Sequence, residues 1–197
     1  METRQQYVIE ESCHELQAYI ERLDNLNEKD EKDMRTYFSR NNIWVDNLET
    51  LGYRIGNGAE AYIYKGYDGK EVFKLKRGGV NIKGIVNVLK NSLNHNKVFP
   101  ETFYSLIGFS SYGKDTSGTT VYGAILRQEF VEGEFATNEQ IRTHLKKDGY
   151  TIFQQGETED HILCLKNGFQ VTDVKTNNAI VANEKVNIID CCIVKYE

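Results

Sequence analysis

The stretch Thr172-Asp173-Val174-Lys175-Thr176-Asn177-Asn178 sets an acid, a base and an amide at short intervals behind an apolar run. A second acid, Asp190, closes the run Val186-Asn187-Ile188-Ile189, twelve residues after Asn178. Phosphoryl transfer uses such a set. A carboxylate such as Asp173 orients or deprotonates an acceptor hydroxyl, and Lys175 offsets charge on a γ-phosphate. The amide oxygen of Asn178 and the carboxylate of Asp190 suit Mg²⁺, a hard cation that takes oxygen ligands. Asp and Asn are also ordinary turn residues. The signal lies in their order behind two apolar strands.

A second set lies upstream. Ile55-Gly56-Asn57-Gly58-Ala59-Glu60-Ala61-Tyr62-Ile63-Tyr64 reads as strand, glycine turn and returning strand, followed by Val72-Phe73-Lys74. Glycines let a backbone come close to phosphate oxygens and accept positive φ. Lys74 on the next strand would aim its ammonium at the same phosphates. Taken alone this set is weak, because glycine hairpins are common and strand lysines are usually solvated.

The elements that must position these residues can be read from periodicity. Ile9, Cys13, Leu16, Ile20 and Leu23 recur at helical spacing in the head. A second short helix is expected from about Glu31 to Arg40, capped by Asp30, with Met34, Tyr37 and Phe38 inward and Asn41-Asn42 at its end. Strands are expected at Leu51–Ile55, Ala61–Tyr67 and Glu71–Lys76, with Asp68-Gly69 as a hairpin turn. A helix from Ile82 to His95 presents Ile82, Ile85, Val86, Leu89 and Leu93 on one face. Strands near Phe103–Ser110 and Thr120–Phe130 flank a loop at Ser111–Thr119, and Thr137 caps a helix over Asn138–Lys147. Four short strands follow, at Ile162–Leu165, Phe169–Thr172, Ala179–Val181 and Val186–Ile189. Strands and helices do not alternate as βαβ units, so the fold class is α+β rather than a doubly wound parallel sheet.

The 197 residues suit one domain with a small appendage. Residues 1–50 carry 6 basic and 12 acidic side chains, and the remainder 18 and 17. The acidity belongs to the head, and neither part has the basic excess of a nucleic-acid binder. No apolar run approaches the ~20 residues of a membrane span, and no secretory signal is visible. Cys13, Cys164, Cys191 and Cys192 lack metal or disulfide spacing, which fits a reducing cytoplasm. One of the adjacent pair Cys191-Cys192 should face a core. His14, His95, His144 and His161 share no ligand spacing and read as surface or packing residues.

The order and separation of the two sets resemble the protein-kinase-like superfamily. More narrowly, the chain resembles the serine/threonine/tyrosine kinase-like domain of polyvalent proteins of phages and bacterial mobile elements. That resemblance rests on His95-Asn96-x-x-Phe99-Pro100-Glu101-Thr102-x-Tyr104-x-Leu106-Ile107-Gly108-Phe109 and on Ala136-Thr137-x-x-Gln140-Ile141, and covers roughly residues 45–195. By themselves, His95-Asn96 and Phe99-Pro100 read as a helix end and a turn. The resemblance implies a truncated kinase-like fold after a helical hairpin. The hairpin is an acidic head at residues 1–44. An N-lobe sheet with one helix would span about residues 45–130, and a reduced C-lobe about 131–197. It implies ATP and Mg²⁺ as cofactors. Gly56, Asn57 and Gly58 would cover the phosphates, and Lys74 would contact them. The backbone of Gln128, Glu129 and Phe130 would meet adenine. Asp173 and Lys175 would be catalytic, and Asn178 and Asp190 would hold the metal.

Departures from the family pattern are informative. Ala61 stands for the third loop glycine, Val171-Thr172 for the catalytic-loop His-Arg, and Asp190-Cys191-Cys192 for Asp-Phe-Gly. No acidic residue lies between Lys74 and Glu101 to pair with the lysine. The leading expectation is therefore an ATP/Mg²⁺-dependent phosphotransferase acting on a protein or small-molecule hydroxyl. A nucleotide-binding pseudokinase is the first alternative. A phage or mobile-element adaptor using the acidic head to bind a partner protein is the second. With seven residues after Asp190, no activation loop is expected within this sequence.

Overall fold

The computed structural model describes residues 2–58, 60–153 and 162–196. Ala59 of the glycine turn and His161 lie outside the described residues. The fold is α+β with antiparallel sheets, and its compact units are Met1–Leu93 with Phe103–Phe130, and Asn94–Thr102 with Val131–Glu197. No helix among the described residues is long and apolar enough to cross a membrane.

The first unit opens with α1 (Glu2–Asp24), α2 (Glu28–Lys32) and α3 (Met34–Arg40). The expected second helix is divided, and its caps are Asn27 and Asp33 rather than Asp30. Asn27 accepts the Asp30 N–H and Asp33 accepts the Thr36 N–H, each satisfying a backbone donor at a helix start. Asp30 instead pairs with Arg40. Strands β1 (Gly52–Asn57), β2 (Ala61–Gly66), β3 (Glu71–Gly79), β4 (Ser105–Lys114) and β5 (Thr120–Glu129) form a sheet in the order β1-β2-β3-β5-β4. Between β3 and β4 runs α4 (Ile82–Val98), longer than its apolar stripe suggested. β4 also outruns its expected end, because it stays paired with β5 out to Lys114 and Thr120.

The head is folded into this unit. Leu16, Ile20 and Leu23 of α1 share one buried cluster with Met34, Tyr37 and Phe38 of α3. The same cluster holds Ile82, Ile85, Val86, Leu89 and Leu93 of α4, and Leu106 and Phe109 of β4. Phe38 stacks on Phe109 at 4.1 Å between ring centroids, and Ser12 shares a buried hydrogen bond with Ser105. The chain leaving α3 then runs along β4, where Phe109 N–H donates to Ile43 O and Val45 N–H to Phe109 O. A Cβ on Gly108 would lie 2.6 Å from Ile43 O, so this close approach requires glycine.

The second unit holds β6 (Glu134–Phe135), α5 (Asn138–Lys147), β7 (Thr151–Phe153), β8 (Ile162–Lys166), β9 (Phe169–Val174), β10 (Ala179–Ala182), β11 (Lys185–Ile188) and β12 (Cys192–Lys195). They make two small sheets, β11-β10-β6 and β12-β9-β8-β7. α5 carries the expected Thr137 cap, completed into a capping box by Gln140. Ala136, Ile141 and Leu145 are buried beside it, so the Ala136–Ile141 motif specifies a helix start and the core under it. β6, β7 and β12 had no clear sequence signal. Each is two to four residues long and is defined by its partner strand.

Leu16 is fully buried. Leu16→Ala should lower the unfolding free energy by about 3 kcal/mol, read from the urea midpoint at unchanged m-value. The exposed Gln17→Ala should stay within about 0.5 kcal/mol of the parent.

Candidate functional site

In the second unit, Asp173 sits in an irregularity of β9. Ile162 pairs with Val174 but Cys164 pairs with Val171, so β9 carries one residue more than β8 across this step. Bulges of this kind re-aim side chains and are frequent beside active sites. Asp173 has φ +58°, a left-handed conformation that Asp tolerates better than most residues but that still costs on the order of 1 kcal/mol. Three bonds hold it there. Lys175 Nζ donates to Asp173 Oδ1 at 2.7 Å, and Asn178 Nδ2 donates to Asp173 Oδ2 at 3.1 Å and to its backbone O at 2.9 Å.

Asn178 ends a short 3₁₀ turn, Thr176–Asn178. Its backbone O accepts the N–H of Ile189 at 2.9 Å and of Asp190 at 3.4 Å. Asp190 Oδ1 in turn accepts the Cys191 N–H at 3.0 Å. The four residues of the downstream set thus form one bonded network. Asn178 commits its amide nitrogen to Asp173, which leaves its Oδ1 as the acceptor end. That oxygen and the Asp190 carboxylate make an all-oxygen donor pair that fits Mg²⁺. Among the described residues no group of three His, Cys, Asp or Glu gathers as a metal site. A cation here would complete its shell with water and phosphate, as Mg²⁺ ordinarily does.

In the first unit, register aligns the upstream set. Gly56 pairs with Ile63, Ile63 with Lys74, and Lys74 with Leu126. The glycine turn and Lys74 therefore lie on one cross-strand row. A Cβ on Gly56 would lie 3.2 Å from the Ile63 Cβ, and neither Gly56 nor Gly58 adopts the expected positive φ. Glycine at position 56 is a matter of room, not of handedness. Lys74 is 3% exposed, and its Nζ donates to the Tyr104 hydroxyl at 3.2 Å. The turn is tied from elsewhere in the sheet, with Tyr112 Oη donating to Gly58 O at 3.0 Å and Arg77 N–H to Glu60 O at 2.8 Å. Tyr104 and Tyr112 carry no spacing signal that marks them for these roles. Gln128 is buried, Glu129 pairs with Glu71, and Phe130 N–H donates to Lys70 O at 2.7 Å, so that amide is engaged within the unit.

Cys191, just before β12, is buried and Cys192, its first residue, is exposed, so one of the adjacent pair faces a core. His14 is exposed, whereas His95 is fully buried and lies in the last turn of α4, where a helix end was expected. Glu101, the nearest acid after α4, lies 3.6 Å from Lys185 in the second unit.

A family model described as a serine/threonine/tyrosine kinase found in polyvalent proteins matches residues 27–196. The chain belongs to that family. No curated protein and no solved structure matches it. The kinase match takes in α2 and α3 of the head as well as both units. The α+β antiparallel architecture is consistent with a kinase-like domain.

Burial also separates the thiols of this kinase-family chain. It pushes the Cys164 thiol up to about 12, whereas Cys192 is exposed. A thiol reagent at pH 8 should modify Cys192 rapidly in the folded protein and reach Cys164 and Cys191 only on unfolding. Cys192→Ser should remove the fast phase.

Proposed function

We propose that the protein is an ATP- and Mg²⁺-dependent phosphotransferase in which Asp173 acts on the acceptor hydroxyl. The observation that carries this reading is the Asp173 knot. A carboxylate held at φ +58° on a strand irregularity by Lys175 and Asn178 is costly to build and serves no core. Backbone strain maintained by surrounding bonds is characteristic of catalytic positions.

Asp173 orients the acceptor hydroxyl and takes its proton as the oxygen attacks the terminal phosphorus, while the bond from that phosphorus to the β,γ-bridging oxygen breaks and ADP leaves with the electron pair. Lys175, already on the carboxylate, offsets charge on the transferring phosphoryl group. Asn178 and Asp190 would hold Mg²⁺ through oxygen. Bound there, the ion would neutralise phosphate oxygens and orient the phosphoryl group. Taken by itself, the first unit carries groups that suit a nucleotide: the Gly56–Gly58 turn and the Lys74 ammonium would meet phosphate, and the backbone at Gln128 and Glu129 would meet the base. The acceptor is a protein or small-molecule hydroxyl. The cytoplasm is the compartment that suits four cysteines without a disulfide.

A second reading is nucleotide binding without turnover, and one observation favours it. α4 carries no acidic side chain, and the Lys74 ammonium meets the Tyr104 hydroxyl. A third reading gives the acidic outer face of the head to a partner protein.

Purified protein should consume ATP in the presence of Mg²⁺, and Asp173→Asn should lower kcat by roughly 10²–10⁴. Asn tolerates the same φ, so this variant should keep its fold and its Mg²⁺-ATP-induced rise in Tm. A wild-type rate in Asp173→Asn would remove Asp173 from the mechanism. A rise in Tm with no turnover in the parent would favour the second reading. Asp190→Ala should abolish the Mg²⁺ dependence of the ATP-induced shift, and an unchanged dependence would remove Asp190 as the metal ligand.

A further inference from the structure

The segment that carries Asp190 is gripped on both sides by the end of α4 and the 3₁₀ turn after it, Pro100–Thr102. Thr102 Oγ1 donates to Ile188 O at 2.6 Å, two residues before Asp190. His95 Nδ1 lies 3.6 Å from Cys191 Sγ, one residue after it. Asn94 Nδ2 donates to Ile193 O at 3.1 Å, three residues after it. All of these residues belong to the second unit.

The chemistry of the contacts sets the histidine tautomer. His95 Nε2 is 3.0 Å from both the carbonyl O and the Oγ1 of Thr102. The carbonyl can only accept, and the Thr102 hydroxyl proton is spent on Ile188 O. Nε2 therefore carries the proton, Nδ1 is the bare acceptor, and the Cys191 thiol donates to it. The result is a directed chain of bonds from Cys191 through His95 and Thr102 to Ile188. His95 and Thr102 are 0% and 1% exposed, so the chain is shielded from competing water. Such a chain gives the backbone on either side of Asp190 one position rather than several.

We propose that Asn94, His95 and Thr102 are positioning residues for the Asp190 carboxylate, fixing the backbone that presents it to a divalent cation. They touch neither the cation nor the phosphates. Their effect is to hold one metal ligand at the distance set by the other, Asn178, whose backbone O already binds the Ile189 and Asp190 amides. Second-layer contacts of this kind usually matter about as much as the ligands they orient. The Asp-Phe-Gly position has become Asp190-Cys191-Cys192, and the buried Cys191 thiol is what His95 holds. The proposal rests on the phosphotransfer reading of Asp190.

The test compares Thr102→Val, which keeps the shape and removes the hydroxyl, with Thr102→Ser, which keeps the hydroxyl. The reading is the Mg²⁺ concentration that gives half of the ATP-induced rise in Tm, measured beside the Mg²⁺ half-saturation and ATP KM of turnover. Thr102→Val should raise the Mg²⁺ half-point roughly tenfold and leave the ATP KM at saturating Mg²⁺ unchanged. Thr102→Ser should restore the parent value. Asn94→Ala, at a partly exposed position, gives the same reading should Thr102→Val not fold, and should also raise the half-point. A fall in Tm that is equal at all Mg²⁺ concentrations, with an unmoved half-point, would mean that the contacts serve stability alone and would overturn the proposal. If the parent shows no response to Mg²⁺-ATP, the phosphotransfer reading fails first and the proposal with it. A responsive parent beside responsive, unshifted variants sinks the positioning role only.

Discussion

Asn178 joins two stretches of the second unit that local sequence could not hold together. Its amide nitrogen reaches back to the carboxylate and backbone of Asp173, and its backbone oxygen reaches forward to the amides of Ile189 and Asp190. One residue in a three-residue turn thereby sets the distance between the proposed base and the proposed metal ligand. Replacing that amide by an apolar group would leave Asp173 with φ +58° and without the two bonds that Asn178 Nδ2 makes to it. The strand irregularity in β9, the 3₁₀ turn and the β10–β11 hairpin make sense together as the support for this residue.

The first unit solves a different problem. It buries a lysine ammonium in the face of a sheet, which is costly unless polar partners meet it. Tyr104 supplies a hydroxyl and an aromatic face to Lys74, and Lys76 stands 4.8 Å from the same ring centroid. The sheet is stiffened on one side by α4 and by the head, whose apolar stripes share a single buried cluster with it. The acidic head is therefore part of the core on one face and solvated on the other, a division that its helical periodicity required.

Much of this was legible in the chain. The stripes on α1 and α4 named the residues that are buried, because a 3.6-residue period has one inward solution. Thr137 was recognisable as a cap, since its hydrogen bond is local. The caps of α2 and α3 were not, because Asn27, Asp30 and Asp33 are all competent and the choice turned on Asp30 pairing with Arg40. β6, β7 and β12 escaped detection because two to four residues hold no period. His95 read as a helix end, and it sits in the last turn of α4. The burial of its ring depends on Thr102, Cys191 and Phe99, which no local rule links to it.

The amino-acid order by itself determined which chemistry was available. Oxygen ligands, a carboxylate and two lysines at Asp173, Lys175, Asn178, Asp190 and Lys74 carry that information in their types and spacing. Helix faces and the α+β class were settled in the same way, because both follow from short-range periodicity. Tertiary structure alone decided how those groups are held. The φ of Asp173, the tie between Asn178 and Asp190, the meeting of Lys74 with Tyr104, and the grip of His95 and Thr102 around Asp190 each depend on contacts distant in sequence or on strand register. A hydrogen bond across many residues forms only when sheets and helices have already fixed both of its ends, and that geometry is not written into any one segment.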